Sequence, residues 1–227
     1  MVTITSPESA QTSISNPLKI LVIGGSGMIG SRITEEAASR GHQVVVAARH
    51  PEKIKSGANV RAVRLDASDK AALIRLAKDA DVIVSATSPR GGGDPILEAK
   101  GIGEAVIAAG TATGKRVFVV GGAGSLKKDD GTYVADDLKG TPYLGEALGM
   151  RGVLELLRAS GTNWTYFSPA LSIAPGQRSR NYRLGTDTVL TNGRGESQIS
   201  AEDFAMAVLD ELETPKHLKG QMTIAAN

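Results

Sequence analysis

The chain has 227 residues, of which 41% are apolar and 22% charged, enough for one well-buried α/β core and short for two independent ones. Its 26 basic residues nearly balance its 24 acidic ones, with no basic block, which argues against nucleic acid or a membrane as partner and for a small molecule. Cysteine is absent, which excludes disulfides, thiolate nucleophiles and cysteine-held zinc, so redox chemistry would have to be borrowed from a cofactor.

Residues 1–17 are rich in Ser and Thr and lack the basic start and apolar run of a secretory signal, so they read as a flexible tail before one domain spanning 18–227. No apolar run approaches the roughly 18 residues of a membrane-spanning helix, and a soluble cytoplasmic protein is expected. Short β-branched runs then alternate with stretches of helical period, the pattern of strand–helix–strand units in a parallel sheet covered on both faces. The first strand is 19–23. Ile29, Ile33 and Ala37 recur at helical spacing up to Gly41, a natural helix stop. Further strands are expected at 42–48, 60–65, 82–85, 117–120 and 164–167, about six in all, as in a Rossmann-type doubly wound parallel sheet forming a single domain. Between the last two, 144–160 places Ala147, Met150, Leu154 and Leu157 on one helical face. A small β excursion is expected at 182–191, followed by a helix that starts with a Ser200/Asp203 capping box and an Ile199/Phe204 staple. The small elements of this C-terminal part would shape a substrate pocket.

The segment KILVIGGSGMIGSRI sets a strand, a glycine loop and a helix start in the order that phosphate binding requires. Gly24 suits a tight turn, Gly27 lets the backbone approach a pyrophosphate, and Gly30 lets the helix pack closely, with Ser26, Met28 and Ile29 alongside. The helix start supplies N–H donors and a positive dipole end. The position after the second strand, where NAD-binding proteins carry a carboxylate for the adenosine ribose, holds Arg49. A guanidinium there can pair with a 2′-phosphate, which favours NADP over NAD, or it is a solvated surface group. Asp66 either accepts from the adenine amino group or caps the next helix.

Ligands of doubly wound sheets lie beyond the carboxyl ends of the strands. That directs attention to Ala86, Thr87 and Ser88, to Gly121, Gly122 and Ser125, and to Ser168 and Pro169. The Tyr-x-x-x-Lys pair used for carbonyl reduction is missing: Tyr133 is followed four residues later by Asp137, and Tyr143 by Ala147. Ser125, Tyr133 and Tyr143 remain the candidate catalytic side chains, though both tyrosines read equally well as packing residues. His42, His50 and His217 lack a metal-ligand spacing and are expected in surface or capping roles.

With these residues placed, the chain resembles the atypical short-chain dehydrogenase/reductases of the NAD(P)-binding, NmrA-like group. Within it the chain is most similar to the NADH-flavin reductases and more distantly to biliverdin reductase B-like proteins. The resemblance covers nearly everything from Leu18 onward and is strongest in KILVIGGSGMIG, VVVAARHPEK, VFVVGGAGSL, NWTYFSPA and GESQISAEDFAMAVLDELE. It implies a bound nicotinamide cofactor and an open pocket for a flat acceptor, with Gly24, Gly27, Gly30 and Arg49 at the cofactor and Ser125, Ser168 and Pro169 in the pocket wall. The region 127–140 departs most from the family pattern. The expected activity is NAD(P)H-dependent reduction of a flavin, quinone or similar conjugated acceptor, with a flavin as a possible substrate. A redox sensor without turnover and a tailoring oxidoreductase or oxygenase acting on an aromatic natural product are the alternatives. A homo-oligomer is compatible with the sequence.

Overall fold

The computed structural model describes residues 16–227, so residues 1–15 of the expected tail lie outside the described residues. The chain runs β1 (Lys19–Ile23), α1 (Met28–Ser39), β2 (Gln43–Ala48), β3 (Val60–Arg64), α2 (Lys70–Ala77), β4 (Val82–Ser85), α3 (Pro95–Thr113) and β5 (Arg116–Val120). It continues through α4 (Leu144–Ala159), β6 (Trp164–Ser168), β7 (Ser172–Ala174), β8 (Tyr182–Gly185), β9 (Gln198–Ser200), α5 (Ala201–Glu213) and β10 (Gly220–Ala226). Eight strands form one sheet in the order β3-β2-β1-β4-β5-β6-β10-β8, parallel throughout except for the last pairing, and β7 and β9 make a separate parallel pair.

The central strands are mostly apolar because both faces of the sheet are covered there. In β4 and β6 every residue is buried, and in β1 all but the first. Their two-residue period sorts the side chains. Ile20, Val22, Val46, Val84, Phe118 and Phe167 pack under α1 and α5, whose Ile33, Ala37, Phe204 and Val208 complete that layer. Leu21, Ile23, Ile83, Val117, Val119 and Tyr166 face Leu73 of α2, Val106 of α3 and Leu154 and Leu157 of α4. Burying each such large side chain is worth about 1.5–3 kcal/mol. Phe167 also stacks on Phe204 with ring centroids 4.3 Å apart.

The expectation of six strands was too low. β10 escapes notice because its pattern is broken by buried Gln221 and Thr223, and the reason for the glutamine is tertiary: its Nε2 donates to the hydroxyls of Ser168 at 3.1 Å and Ser125 at 3.2 Å. The β excursion is shorter than expected, since β8 ends at Gly185 and pairs antiparallel with β10. Beyond it, the Val189 N–H donates to the Lys127 carbonyl and the Lys127 N–H to the Asp187 carbonyl. Only half of the capping box forms. The Ser200 hydroxyl accepts from the Asp203 N–H, but the Asp203 carboxylate takes the N–H groups of Ser179 and Arg180 instead. His42 is not a surface residue. It is fully buried, Nδ1 accepting from the Leu18 N–H and Nε2 lying 2.9 Å from Glu213. Among the described residues no helix is long and apolar enough to cross a membrane.

Candidate functional site

β1 lies between β2 and β4, so the chain leaving β1 turns one way, towards β2, and the chain leaving β4 turns the other, towards β5. This is the switch point where a crevice opens at the carboxyl ends of the strands. The glycine loop sits in it. Gly24 has φ +79°, and a Cβ on it would lie 2.7 Å from the Ala86 carbonyl oxygen, so the turn after β1 and its closeness to β4 both demand glycine. The Gly27 N–H closes the loop onto the Gly24 carbonyl at 3.0 Å. α1 then begins with Gly27 as its N-cap and no side-chain cap, which leaves its first N–H groups directed at the crevice without an intrahelical acceptor.

The crevice has two joined compartments that share Gly27, Ala86, Thr87, Ser88 and Arg90. The first, of about 260 Å³, is lined by Gly24, Ser26, Ala47, Arg49, Leu65 and Asp66. Hydrogen bonds from the Ser68 N–H and hydroxyl, at 3.0 and 2.7 Å, hold the Asp66 carboxyl below the ordinary range, and the Arg49 charge adds to this. The helix cap is Asp69, which accepts from the Ala72 N–H. Asp66 is therefore left facing the compartment, and the capping alternative for it is set aside.

The second compartment, of about 420 Å³, is lined by Met28, Ile29, the backbone of Gly121, Gly122, Ala123 and Gly124, and a wall of Leu138, Tyr143, Pro169, Leu171 and Ile173. Glu146 enters it from the first turn of α4 and meets the Arg90 guanidinium at 3.4 Å.

Four expected site residues line neither compartment. Gly30 is inside α1, where a Cβ would lie 2.3 Å from the Gly24 carbonyl oxygen, so it serves the close packing of the helix on the glycine turn. Ser125 is 1% exposed, and its hydroxyl donates to the Gly122 carbonyl at 2.7 Å and lies 2.9 Å from the Ser168 hydroxyl, itself completely buried. Both serines stand behind the glycine segment and not in the cleft. Tyr133 is turned away as well, its ring beneath the Arg151 guanidinium at 4.6 Å from the centroid. Tyr143 does face the cleft, at 66% exposure.

The glycine segment is held from below. The Gly122 N–H donates to the Tyr166 hydroxyl, which donates in turn to the Met150 carbonyl. Burial pushes the Tyr166 hydroxyl up to about 12, so it stays protonated and keeps this bond. Arg90, Leu138, Glu146, Leu171 and Ile173 were not foreseen. Arg90 follows β4 by a few residues and Leu171 follows β6, so the strand-end rule reached their neighbourhood and stopped short. Leu138 belongs to the divergent region 127–140, which folds back through a short helical turn at Val134–Leu138 to form one wall of the cleft.

The sequence family described as NAD(P)H-binding matches residues 24–215. Three similar solved structures come from bacteria. One, from Burkholderia pseudomallei and described as a "putative exported protein", is 37% identical, covers 92% of this chain and 99% of its own, and superposes with a TM-score of 0.80. A Bacteroides thetaiotaomicron protein described as a "putative epimerase" is 35% identical over 93% of this chain and 98% of its own, with a TM-score of 0.83. A Streptococcus pneumoniae protein described as a "putative NADH-flavin reductase" is 30% identical over 92% of this chain and 100% of its own, with a TM-score of 0.77. The three descriptions diverge while the fold is shared, as expected when chemistry resides in the cleft and not in the sheet. The crevice with its uncapped helix start and glycine turn, together with these matches, shows that the chain belongs to the NAD(P)H-binding family and has a Rossmann fold.

Proposed function

We propose that this protein is an NAD(P)H-dependent oxidoreductase that reduces a flavin, quinone or similar conjugated acceptor, with NADPH preferred to NADH. The observation that carries this reading is the two-compartment cleft: a glycine turn, helix start and Arg49 on one side, and a flat apolar wall facing open glycine backbone on the other. Gly24, Ser26 and Gly27 with the α1 N–H groups of Met28 and Ile29 cradle a pyrophosphate. Arg49 takes the 2′-phosphate and Asp66 accepts from the adenine amino group. Ala86, Thr87 and Ser88 support the middle of the cofactor, and Gly121, Gly122 and Pro169 frame its nicotinamide end. A reduced nicotinamide bound there supplies the hydride.

Leu138, Tyr143, Leu171 and Ile173 offer a conjugated ring a face to stack on and exclude water from it. The pocket carries no tyrosine–lysine pair. A conjugated acceptor that spreads the incoming negative charge over its ring can take its proton from solvent at the open mouth, so it needs such a pair less than a simple carbonyl does. Ser125 and Ser168 act on this site only by holding the backbone of the glycine segment.

Stopped-flow mixing of the protein with NADPH and FMN, riboflavin or a benzoquinone tests the reading. Loss of the NADPH absorbance well above the protein-free rate is expected with at least one acceptor. The absence of such oxidation across all three would overturn it. Arg49→Ala is expected to erase the preference for NADPH over NADH, and an unchanged preference would remove the assignment of that arginine.

A further inference from the structure

Arg90 occupies a place that no other cationic side chain among the described residues shares, since it lines both compartments of the cleft at their junction. Its neighbours there, Gly27, Ala86, Thr87 and Ser88, are all uncharged. Its side chain is 75% exposed, and its one ion-pair partner is Glu146, across the cleft at 3.4 Å, near the outer limit of a hydrogen bond. The guanidinium is therefore held loosely, at the point through which a dinucleotide spanning both compartments must pass.

The segment that carries Arg90 has a fixed base and a free turn. The Gly91 N–H donates to both Glu98 carboxylate oxygens, at 3.0 and 2.8 Å, and Asp94 caps α3 by accepting from the Ile96 N–H at 2.8 Å. Between these anchors Gly92 has φ +89°, and neither it nor Gly93 has an atom within 4 Å of where a Cβ would be. Gly91, pinned by Glu98, fixes the backbone beside Arg90, so the exposed side chain alone can change partner.

We propose that Arg90 clamps the pyrophosphate of the cofactor, and that Glu146 holds the same guanidinium when no dinucleotide is bound, so that binding exchanges one anionic partner for the other. The inference rests on the dinucleotide reading above. A pyrophosphate brings two negative charges to a junction whose lining otherwise holds none to oppose them, and a guanidinium binds phosphate oxygens in pairs with directed N–H bonds. Glu146, one-third exposed, offers a weaker, solvent-screened contact that a phosphate can displace.

Calorimetric titration of NADPH, NADH and adenosine 2′-monophosphate into the wild-type protein, Arg90→Ala, Arg49→Ala and Glu146→Gln tests the exchange. Arg90→Ala is expected to weaken both dinucleotides by about tenfold to a hundredfold and to leave adenosine 2′-monophosphate, which has no pyrophosphate, unchanged. Arg49→Ala is expected to weaken NADPH and adenosine 2′-monophosphate and to spare NADH. Glu146→Gln removes the competing carboxylate and is expected to tighten both dinucleotides by about two- to fivefold, a gain that vanishes when Arg90 is also replaced. Wild-type affinity for both dinucleotides in Arg90→Ala would overturn the clamp, as would equal weakening of all three ligands. Unchanged or weaker binding in Glu146→Gln would overturn the exchange. Failure of the wild-type protein to bind either dinucleotide would instead defeat the reading of the whole cleft.

Discussion

The backbone N–H of Gly122 donates to the hydroxyl of Tyr166 at 3.2 Å, and that hydroxyl donates onward to the Met150 carbonyl at 2.9 Å. One buried phenol thus ties the floor of the second compartment to α4. The ring itself fixes the approach, because a Cβ on Gly121 would lie 2.2 Å from it. Tyr166→Phe keeps the ring and removes both bonds, leaving a half-buried N–H and a buried carbonyl without this partner. A loss of about 1–3 kcal/mol in urea unfolding is expected, together with slower turnover at unchanged affinity for the adenosine end of the cofactor. A stability equal to that of the wild type would mean that the two backbone groups find other partners.

Gly27 and Gly30 are only three residues apart and are expected to respond differently to alanine. At Gly30 a Cβ would lie 2.3 Å from the Gly24 carbonyl oxygen and 2.9 Å from the Gly25 Cα, both of them backbone atoms that cannot step aside cheaply. Gly30→Ala should destabilise the protein by about 1–3 kcal/mol. At Gly27 the nearest atom to a Cβ is the same oxygen at 3.3 Å, and the helix N-cap conformation, φ −78°, suits any residue. Gly27→Ala should therefore melt close to the wild type while binding dinucleotide more weakly, because the added methyl occupies the approach to the loop. Thermal unfolding and cofactor titration on the same two proteins separate these outcomes, and equal melting temperatures would refute the packing role of Gly30.

Glu36 joins α1 to two arginines, Arg40 at 2.7 Å and Arg178 at 2.9 Å. Burial pushes its carboxyl up, but the bonds from Arg178 and Arg40 outweigh it and leave the group below its ordinary range. A carboxylate whose folded value is depressed stabilises the fold above its unfolded value of about 4.3 and loses that contribution as the pH falls through the lower folded value. The stability gap between wild type and Glu36→Gln should consequently be widest near neutrality and should narrow below about pH 4.5. Urea denaturation across this range measures it. A gap that does not change with pH would show that the arginines hold Glu36 no more tightly in the folded chain than water does in the unfolded one.

Much of the fold was legible because its signals are local. β1, β2, β4, β5 and β6 are continuous apolar runs that announce strands buried on both faces, and Gly24 at φ +79° and Gly41 at φ +86° are punctuation that any chain must supply at such turns. Arg49 and Asp66 were found for a similar reason: the end of a strand is visible in sequence, and side chains just beyond it reach the crevice.

What stayed hidden depends on which face of the loop a side chain takes. Ser125 and Ser168 follow or end their strands as cofactor-contacting residues would, yet they turn inward, because Gln221 on β10, 53 residues after Ser168, brings its amide to both hydroxyls. The same glutamine broke the apolar pattern that would have revealed β10. Arg90 and Glu146 lie 56 residues apart and have no shared motif, and they meet only because the loop after β4 and the start of α4 border one crevice. The sequence by itself determined the alternating strands and helices and the glycine turn, since periodicity and backbone sterics act between near neighbours. Only the tertiary structure decided which polar groups face the cleft and which support it from behind, since that choice is made by partners distant in the chain that arrive together when the sheet closes.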